Sequence, residues 1–340
     1  MSVKVSVVVP ARDEQASIAG LLDSLLEQTR PAAEIVVVDA GSVDRTAEIV
    51  RGYSPALVPI RLVALGPAFP GIARNAGVAA AVSEHIAFTD AGIQLDRRWL
   101  ERLCAPLREA SDAGVRPPDI VFGSYEPVTS SFFAQCAATA YVPARSEEKG
   151  KEIRGPFIAS CLMRKAVLEA AGGFPPYRAA EDLMFLDKIR DRDWIVAYAP
   201  HAIARWEMAA GWRSTFRRFR LYSYHNLVAG RGRYWHRGVA RWYALAAPFA
   251  ILAGVVGTAW LAVPLAGAGA RVAVIIWRKR KENWGSPFNP LRWIGVGLVL
   301  MTLDAATLWG ALWWAGDKLR GRLPRPIRNA GESVPEEIPA

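Results

Sequence analysis

The stretch His85-Ile86-Ala87-Phe88-Thr89-Asp90-Ala91-Gly92 decides the fold. A short apolar run that ends in a carboxylate and then a glycine reads, in an open α/β sheet, as a buried strand delivering an acid to the carboxyl edge, where such sheets bind ligands. Asp90 is therefore a site candidate. A strand-end turn in which Asp90 only bonds nearby backbone amides has the same local pattern, so the neighbouring segments must choose.

Upstream, Val5-Ser6-Val7-Val8-Val9 is nearly continuous and β-branched, as in a strand covered on both faces, and Pro10 ends it. Ile18, Leu21, Leu22, Leu25 and Leu26 recur at helical spacing and predict an amphipathic helix over 17–29. Glu34 to Asp39 is a second strand ending in an acid, followed by Ala40-Gly41-Ser42 and a helix from about Asp44. A third strand over 60–65, an Ala-rich helix over 72–82 and a fourth strand over 86–89 complete an α/β alternation that brings Asp39 and Asp90 to one edge. Beyond a strand at 119–125 the chain is less regular, with Phe132, Phe133 and Tyr141 and a charged loop over 147–154. The run from Gly155 to Arg164 reads as a strand, with a helix to Gly172-Gly173-Phe174. Ala180-Glu181-Asp182 opens a further helix, where acids suit the helix dipole, and 194–198 is a strand. Asp96 is expected to cap the helix that carries Trp99 and Leu103. His201 reads as a satisfied structural group rather than a metal ligand.

Composition adds a membrane. The 340 residues are 52% hydrophobic with thirteen Trp, and a net charge of +10 suits an anionic partner. Cys104, Cys136 and Cys161 are odd in number and lack C-x-x-C spacing, which fits a reducing cytosolic face and argues against a disulfide framework or zinc site. The first residues show no signal peptide, so the N-terminal domain is expected in the cytoplasm. From Arg213 to Arg241 arginines alternate with aromatic residues, a pattern that could bind single-stranded nucleic acid. The uncharged run Trp242 to Ala270 and the run Trp293 to Gly316, broken only by Asp304, explain it better as a juxtamembrane collar on the cytoplasmic side. No nucleic-acid partner is expected. Two or three spans stay open, because one basic cluster breaks the positive-inside bias either way, Arg278 to Lys281 with two spans or Lys318 to Arg328 with three, and Asp304, costly in a span, is expected to pair with another helix or subunit. The expected organisation is a catalytic domain over 1–235, collar and transmembrane helices over 236–322, and a disordered tail over 323–340, held at the cell inner membrane.

Three groups of residues, taken in order, carry a family likeness: Pro10-Ala11-Arg12-Asp13-Glu14 after the first strand, Asp39-Ala40-Gly41-Ser42 after the second, and Arg74 with Phe88-Thr89-Asp90-Ala91-Gly92. Together with the later Glu181-Asp182 they resemble family 2 glycosyltransferases of the GT-A (Rossmann-like) fold, over about Val3 to Leu227. The resemblance implies an inverting transferase that uses a nucleotide-diphosphate sugar. It implies Pro10, Ala11, Arg12, Glu14 and Asp39 around base and ribose, with Gly41 and Ser42 beside them, and Arg74 facing the diphosphate. It makes Asp90 the first acid of a D-x-D motif for Mg or Mn, Asp182 the general base and Glu181 its positioning neighbour. It also makes the less regular stretch beyond Tyr125, with its aromatic residues and the charged loop over 147–154, an acceptor side, for a lipid-linked or polysaccharide acceptor, although an ordinary surface insertion would read the same. Arg217-Arg218-Phe219-Arg220-Leu221 is similar to the family's Q/R-x-x-R-W, with Leu in the Trp place. Ala40 and Gly92 depart from the pattern, each standing where many members carry an acid. One carboxylate is thus absent from the expected metal shell, which diphosphate oxygens and water can complete. A non-catalytic nucleotide-sugar-binding membrane protein stays open, as does a sugar nucleotidyltransferase, although the latter's G-x-G-T-R loop is missing after the first strand.

Overall fold

A computed structural model describes residues 3–53, 57–148 and 150–324. Contacts divide it into a sheet unit (Met1–Glu126 and Arg145–Glu207) and a helical unit (Pro127–Ala144 and Met208–Arg325). The helical unit thus begins well before residue 235. The tail expected to be disordered lies, from residue 325, outside the described residues.

In the sheet unit, β1 (Val5–Ala11), β2 (Glu34–Asp39), β3 (Ile60–Ala64) and β4 (His85–Phe88) alternate with α1 (Ile18–Leu26), α2 (Thr46–Gly52) and α3 (Pro70–Ala80). These four strands are parallel in the order β3-β2-β1-β4. Beyond β4 the sheet continues with β9 (Cys161–Arg164), β6 (Ile120–Val128), β10 (Val196–Glu207) and β5 (Ile93–Leu95). The β4–β9, β6–β9 and β10–β5 pairs are antiparallel. Alternate residues of β1 and β2 feed two cores. Val5, Val7, Val9, Ile35 and Val37 meet Leu21, Leu22 and Leu25 of α1 and Leu100, Leu103 and Leu107 of α4 (Trp99–Asp112). Val8, Val36 and Val38 meet Ala73 of α3, Leu168 of α6 (Lys165–Ala171) and Phe185 of α7 (Glu181–Arg190). Burial on both faces is why these strands read as unbroken apolar runs, and each buried Leu or Val contributes about 1.5–3 kcal/mol.

Two expectations change in detail. The run Gly155 to Arg164 is a strand only from Cys161, because Ile158–Ser160 forms a 3-10 turn. The charged loop over 147–154 includes a hairpin, β7 (Ser146–Glu148) with β8 (Lys151–Ile153).

The helical unit holds α5 (Phe132–Tyr141), α8 (Trp212–Val228), α9 (His236–Val255), α10 (Ala262–Arg278) and α11 (Pro290–Leu319). Three stretches are long and apolar enough to cross a membrane: His236–Val255, Thr258–Arg278 and Pro290–Leu319. α11 packs along α8 and α5, with Val296, Val299 and Leu300 against Cys136. Arg292 of α11 is buried and donates to Thr139 Oγ1 at 2.7 Å. Asp304 is buried and accepts both Nη groups of Arg271 from α10, at 2.5 and 3.0 Å, so the partner expected for it is a neighbouring helix of the same chain.

Candidate active site

The carboxyl edge of the parallel strands carries the first two predicted acids. β1 pairs with β2 so that Ala11 lies opposite Asp39, and with β4 so that Val8 lies opposite Phe88, two residues before Asp90. Pro10 and Ala11 thus end the central strand between the two acids. The loops that follow β1 and β2 are laced together. Asp39 Oδ1 accepts the Ser42 N–H at 2.9 Å, and Ser42 Oγ accepts the Asp13 N–H at 3.0 Å. Thr46 Oγ1 accepts the Glu14 N–H at 2.8 Å, and Asp44 Oδ2 accepts the Gln15 N–H at 3.0 Å. These bonds satisfy loop amides that would otherwise need water and fix the loops against each other. Gly41 has φ +81° and a Cβ there would stand 2.5 Å from Pro67 N, so only glycine fits. Arg12 is half-buried, with Nε 3.7 Å from Asp13 Oδ2.

Arg74 joins the remaining acids. Its guanidinium is buried on α3 and donates from Nη2 to Asp90 Oδ1 and Oδ2, at 2.8 and 3.0 Å, and from Nη1 to Glu181 Oε1 at 2.9 Å. It also lies over the Phe174 ring, 5.5 Å from the centroid. The predicted diphosphate-facing cation is therefore bound to two carboxylates. Burial would discharge it, but Asp90, Glu181 and Asp182 together hold it firmly protonated. Glu181, 6% exposed, is pushed up to about 7 by burial, with Arg74 opposing and Asp182 adding to the shift. Asp182 is half-buried in the first turn of α7, with Oδ1 accepting the Leu183 N–H at 2.7 Å. Ala180, just before the pair, has φ +91°, a left-handed conformation that costs a non-glycine residue of the order of 1–3 kcal/mol and that clusters at functional sites.

Gly92 has φ +81°, and a Cβ at this position would make ordinary contacts with Ser17 Oγ at 3.9 Å, Glu14 Oε2 at 4.0 Å and Ser17 Cβ at 4.0 Å. The Glu14 carboxylate thus lies beside residue 92. Its pKa is raised by burial against a bond from the Ser17 hydroxyl, and further by Asp90. Among the described residues no three His, Cys, Asp or Glu side chains gather as a metal cluster.

The predicted site residues therefore fall into two connected sets: Pro10, Arg12, Glu14, Asp39, Gly41 and Ser42 on the laced loops, and Arg74, Asp90, Glu181 and Asp182 around one guanidinium. Asp96 accepts the Arg98 N–H at 3.1 Å and pairs with Arg102, a structural role at the start of α4. His201 is exposed. Sequence reasoning missed Asn75, whose amide bonds both Phe174 O and Phe174 N–H at 2.9 Å and so fixes the segment that leads to α7. Its position beside Arg74, with Gly172-Gly173 downstream, was the available signal. Gly173 is left-handed, and a Cβ on it would lie 2.7 Å from Asn75 Oδ1.

Residues 6–171 match the family described as Glycosyl transferase family 2. YibD of Escherichia coli, named an uncharacterized glycosyltransferase, is 33% identical over 88 residues, 26% of either protein. The glycosyltransferase AglE of Haloferax volcanii is 27% identical over 206 residues, 58% of this chain and 65% of AglE. The chain thus spans between a quarter and two thirds of the length of these relatives. A mannosyltransferase of Pyrobaculum calidifontis, solved with GDP-Man and Mn2+, superposes with a TM-score of 0.58 at 22% identity, over 90% of this chain and 87% of its own. The open sheet, its acids on the carboxyl edge and these likenesses agree: residues 6–171 form a domain that matches Glycosyl transferase family 2, on a mixed α/β sheet like that of GT-A transferases.

Proposed function

We propose that the protein is a membrane-anchored, inverting glycosyltransferase that moves a sugar from a nucleotide-diphosphate donor to a lipid-linked or membrane-proximal acceptor. The observation that carries this reading is the buried Arg74 bound to Asp90 and Glu181, at the sheet edge where the laced loops present Asp39. The loops hold the nucleoside, with Asp39 and Arg12 toward base and ribose. Asp182 takes the proton of the acceptor hydroxyl. The new bond forms at the sugar carbon as the bond to the diphosphate breaks, and a single displacement inverts that carbon. Where the acceptor is an ionised phosphate, no proton has to leave and Asp182 orients it.

A divalent Mg or Mn ion would be held by Asp90 and Glu14, two carboxylates near Gly92, with diphosphate oxygens and water completing the shell. When bound, such an ion neutralises charge that develops on the leaving diphosphate. The helical stretches over 236–319 anchor the domain to the inner membrane, with the sheet unit in the cytoplasm. A nucleotide-sugar binder without turnover is the second reading, favoured by one observation: both Asp90 oxygens face Arg74.

The test is a donor screen by thermal shift with and without Mn, followed by turnover of the labelled donor that stabilises the chain. Metal-dependent stabilisation that Asp90→Ala abolishes, together with donor turnover, is the expected result. Stabilisation without any turnover, across acceptors extracted from membranes, establishes the binding protein instead.

A further inference from the structure

The helical unit holds a concentration of positive charge for which the acids of the sheet unit are no part of the account. Between Met208 and Lys281 the sequence contains no Asp or Glu at all. Of the later acids, Asp304 is bound to Arg271 and Asp317 accepts the Tyr224 hydroxyl at 2.8 Å. On α8, Arg213, Arg217 and Arg220 recur at i, i+4 and i+7 and so share one face. Arg220 lies over the Trp313 ring at 4.9 Å, while Arg213 and Arg217 are exposed and have no carboxylate partner among the described residues. These arginines line two open clefts of 610 and 490 Å3, which share Trp212, Arg213 and Arg217. The second cleft is also lined by Phe216 and Arg220, and by Thr302 of α11.

We propose that this double cleft binds the phosphate of a lipid, the acceptor whose chain lies along α11; this rests on the reading of a lipid-linked acceptor. The unpaired guanidiniums supply the anion specificity, because planar N–H forks match phosphate oxygens. A lipid, rather than a free phosphate, follows from the wall of the cleft. One turn before Thr302 stands Leu298, part of an exposed apolar seam of α11 formed by Leu291, Ile294, Leu298, Met301, Leu308 and Leu312. Their spacing of three or four residues, and of seven between Met301 and Leu308, keeps them on one face. A headgroup among the arginines thus has an apolar track leading away from it, and Trp212 and Phe216 are side chains suited to the interfacial level.

The probe is labelled dodecyl phosphate, a single phosphate on a single chain, bound to the full chain in phosphatidylcholine nanodiscs. Saturable binding is expected, with inorganic phosphate competing only at much higher concentration and dodecanol not competing. Replacing both cations, Arg213→Gln with Arg217→Gln, should weaken binding roughly 30-fold, a factor of about five for each cation, and lysine at both positions should restore only part of it, because an ammonium keeps the charge and lacks the fork. Binding that survives the glutamine pair within twofold overturns the site. So does full displacement by phosphatidylglycerol at equal mole fraction, which would make the arginines a general membrane contact. The transferase reading is judged separately: arginine-dependent lipid binding without donor turnover removes the transferase and keeps the site, whereas donor turnover with arginine-independent lipid binding does the reverse.

Discussion

In the sheet unit Arg74 is buried with Asp90, Glu181 and Asp182 around it, whereas in the helical unit Arg213 and Arg217 are exposed and have no carboxylate partner among the described residues. The contrast follows from solvation. A buried cation is tolerable only with its counter-charges built in, so Arg74 fixes the geometry of two acids and leaves little of itself for a ligand. An exposed cation stays hydrated at low cost and remains available to an anion from outside. The helical unit also contains the first kind: Asp304 and Arg271 are a pair between apolar helices. Charge that is buried organises this protein, and charge that is exposed recruits.

The sharpest way to break this comparison is at Asp182, which borders the buried cluster but is not bonded to Arg74. Asp182→Asn should keep donor binding and lower transfer by about 10² to 10⁴. A rate within a few fold of the parent removes Asp182 from the role of base. Next comes the cluster itself. Arg74→Met leaves Asp90 and Glu181 without their cation and should destabilise the fold by about 3–5 kcal/mol in denaturant titrations, since breaking a buried pair costs more than the pair contributes. Glu181→Gln on that background should recover part of the loss, and no recovery would mean that packing against Phe174 dominates.

A smaller effect concerns pH. Glu181 titrates at about 7 in the folded chain, above its usual 4.5, so the native state holds this proton more tightly than the unfolded one. The stability it contributes is complete below about pH 4.5 and declines as pH rises through 7, a span of about 3 kcal/mol. Thermal melts of Glu181→Gln should show a flatter slope over that range, and an unchanged slope assigns it to other groups. The smallest expected effect is at Asp304→Asn, which leaves Arg271 a weaker partner. Because Arg271 is 32% exposed, a loss of about 1–2 kcal/mol is expected in detergent unfolding. A neutral result would show that the pair fixes helix register without stabilising it.

The parallel half of the sheet was legible because β1, β2 and β4 are buried on both faces, and such strands leave a continuous apolar signature however the chain is arranged around them. Asp39 and Asp90 followed, since a strand's last residue is fixed by the strand. The hairpin over 146–153 and the 3-10 turn over 158–160 were not legible, because short exposed or irregular segments take their form from neighbours rather than from periodicity. The same holds for the site. Sequence determined which acids stand at strand and helix ends, that the C-terminal helices are apolar, and that Asp304 needs a partner. Tertiary structure alone decided that the partner is Arg271, that Arg74 joins Asp90 to Glu181, and that Glu14 lies beside Gly92. Each of these is a meeting of residues far apart in the chain, and side-chain pairing across such distances is set by how the elements pack, which local pattern does not encode.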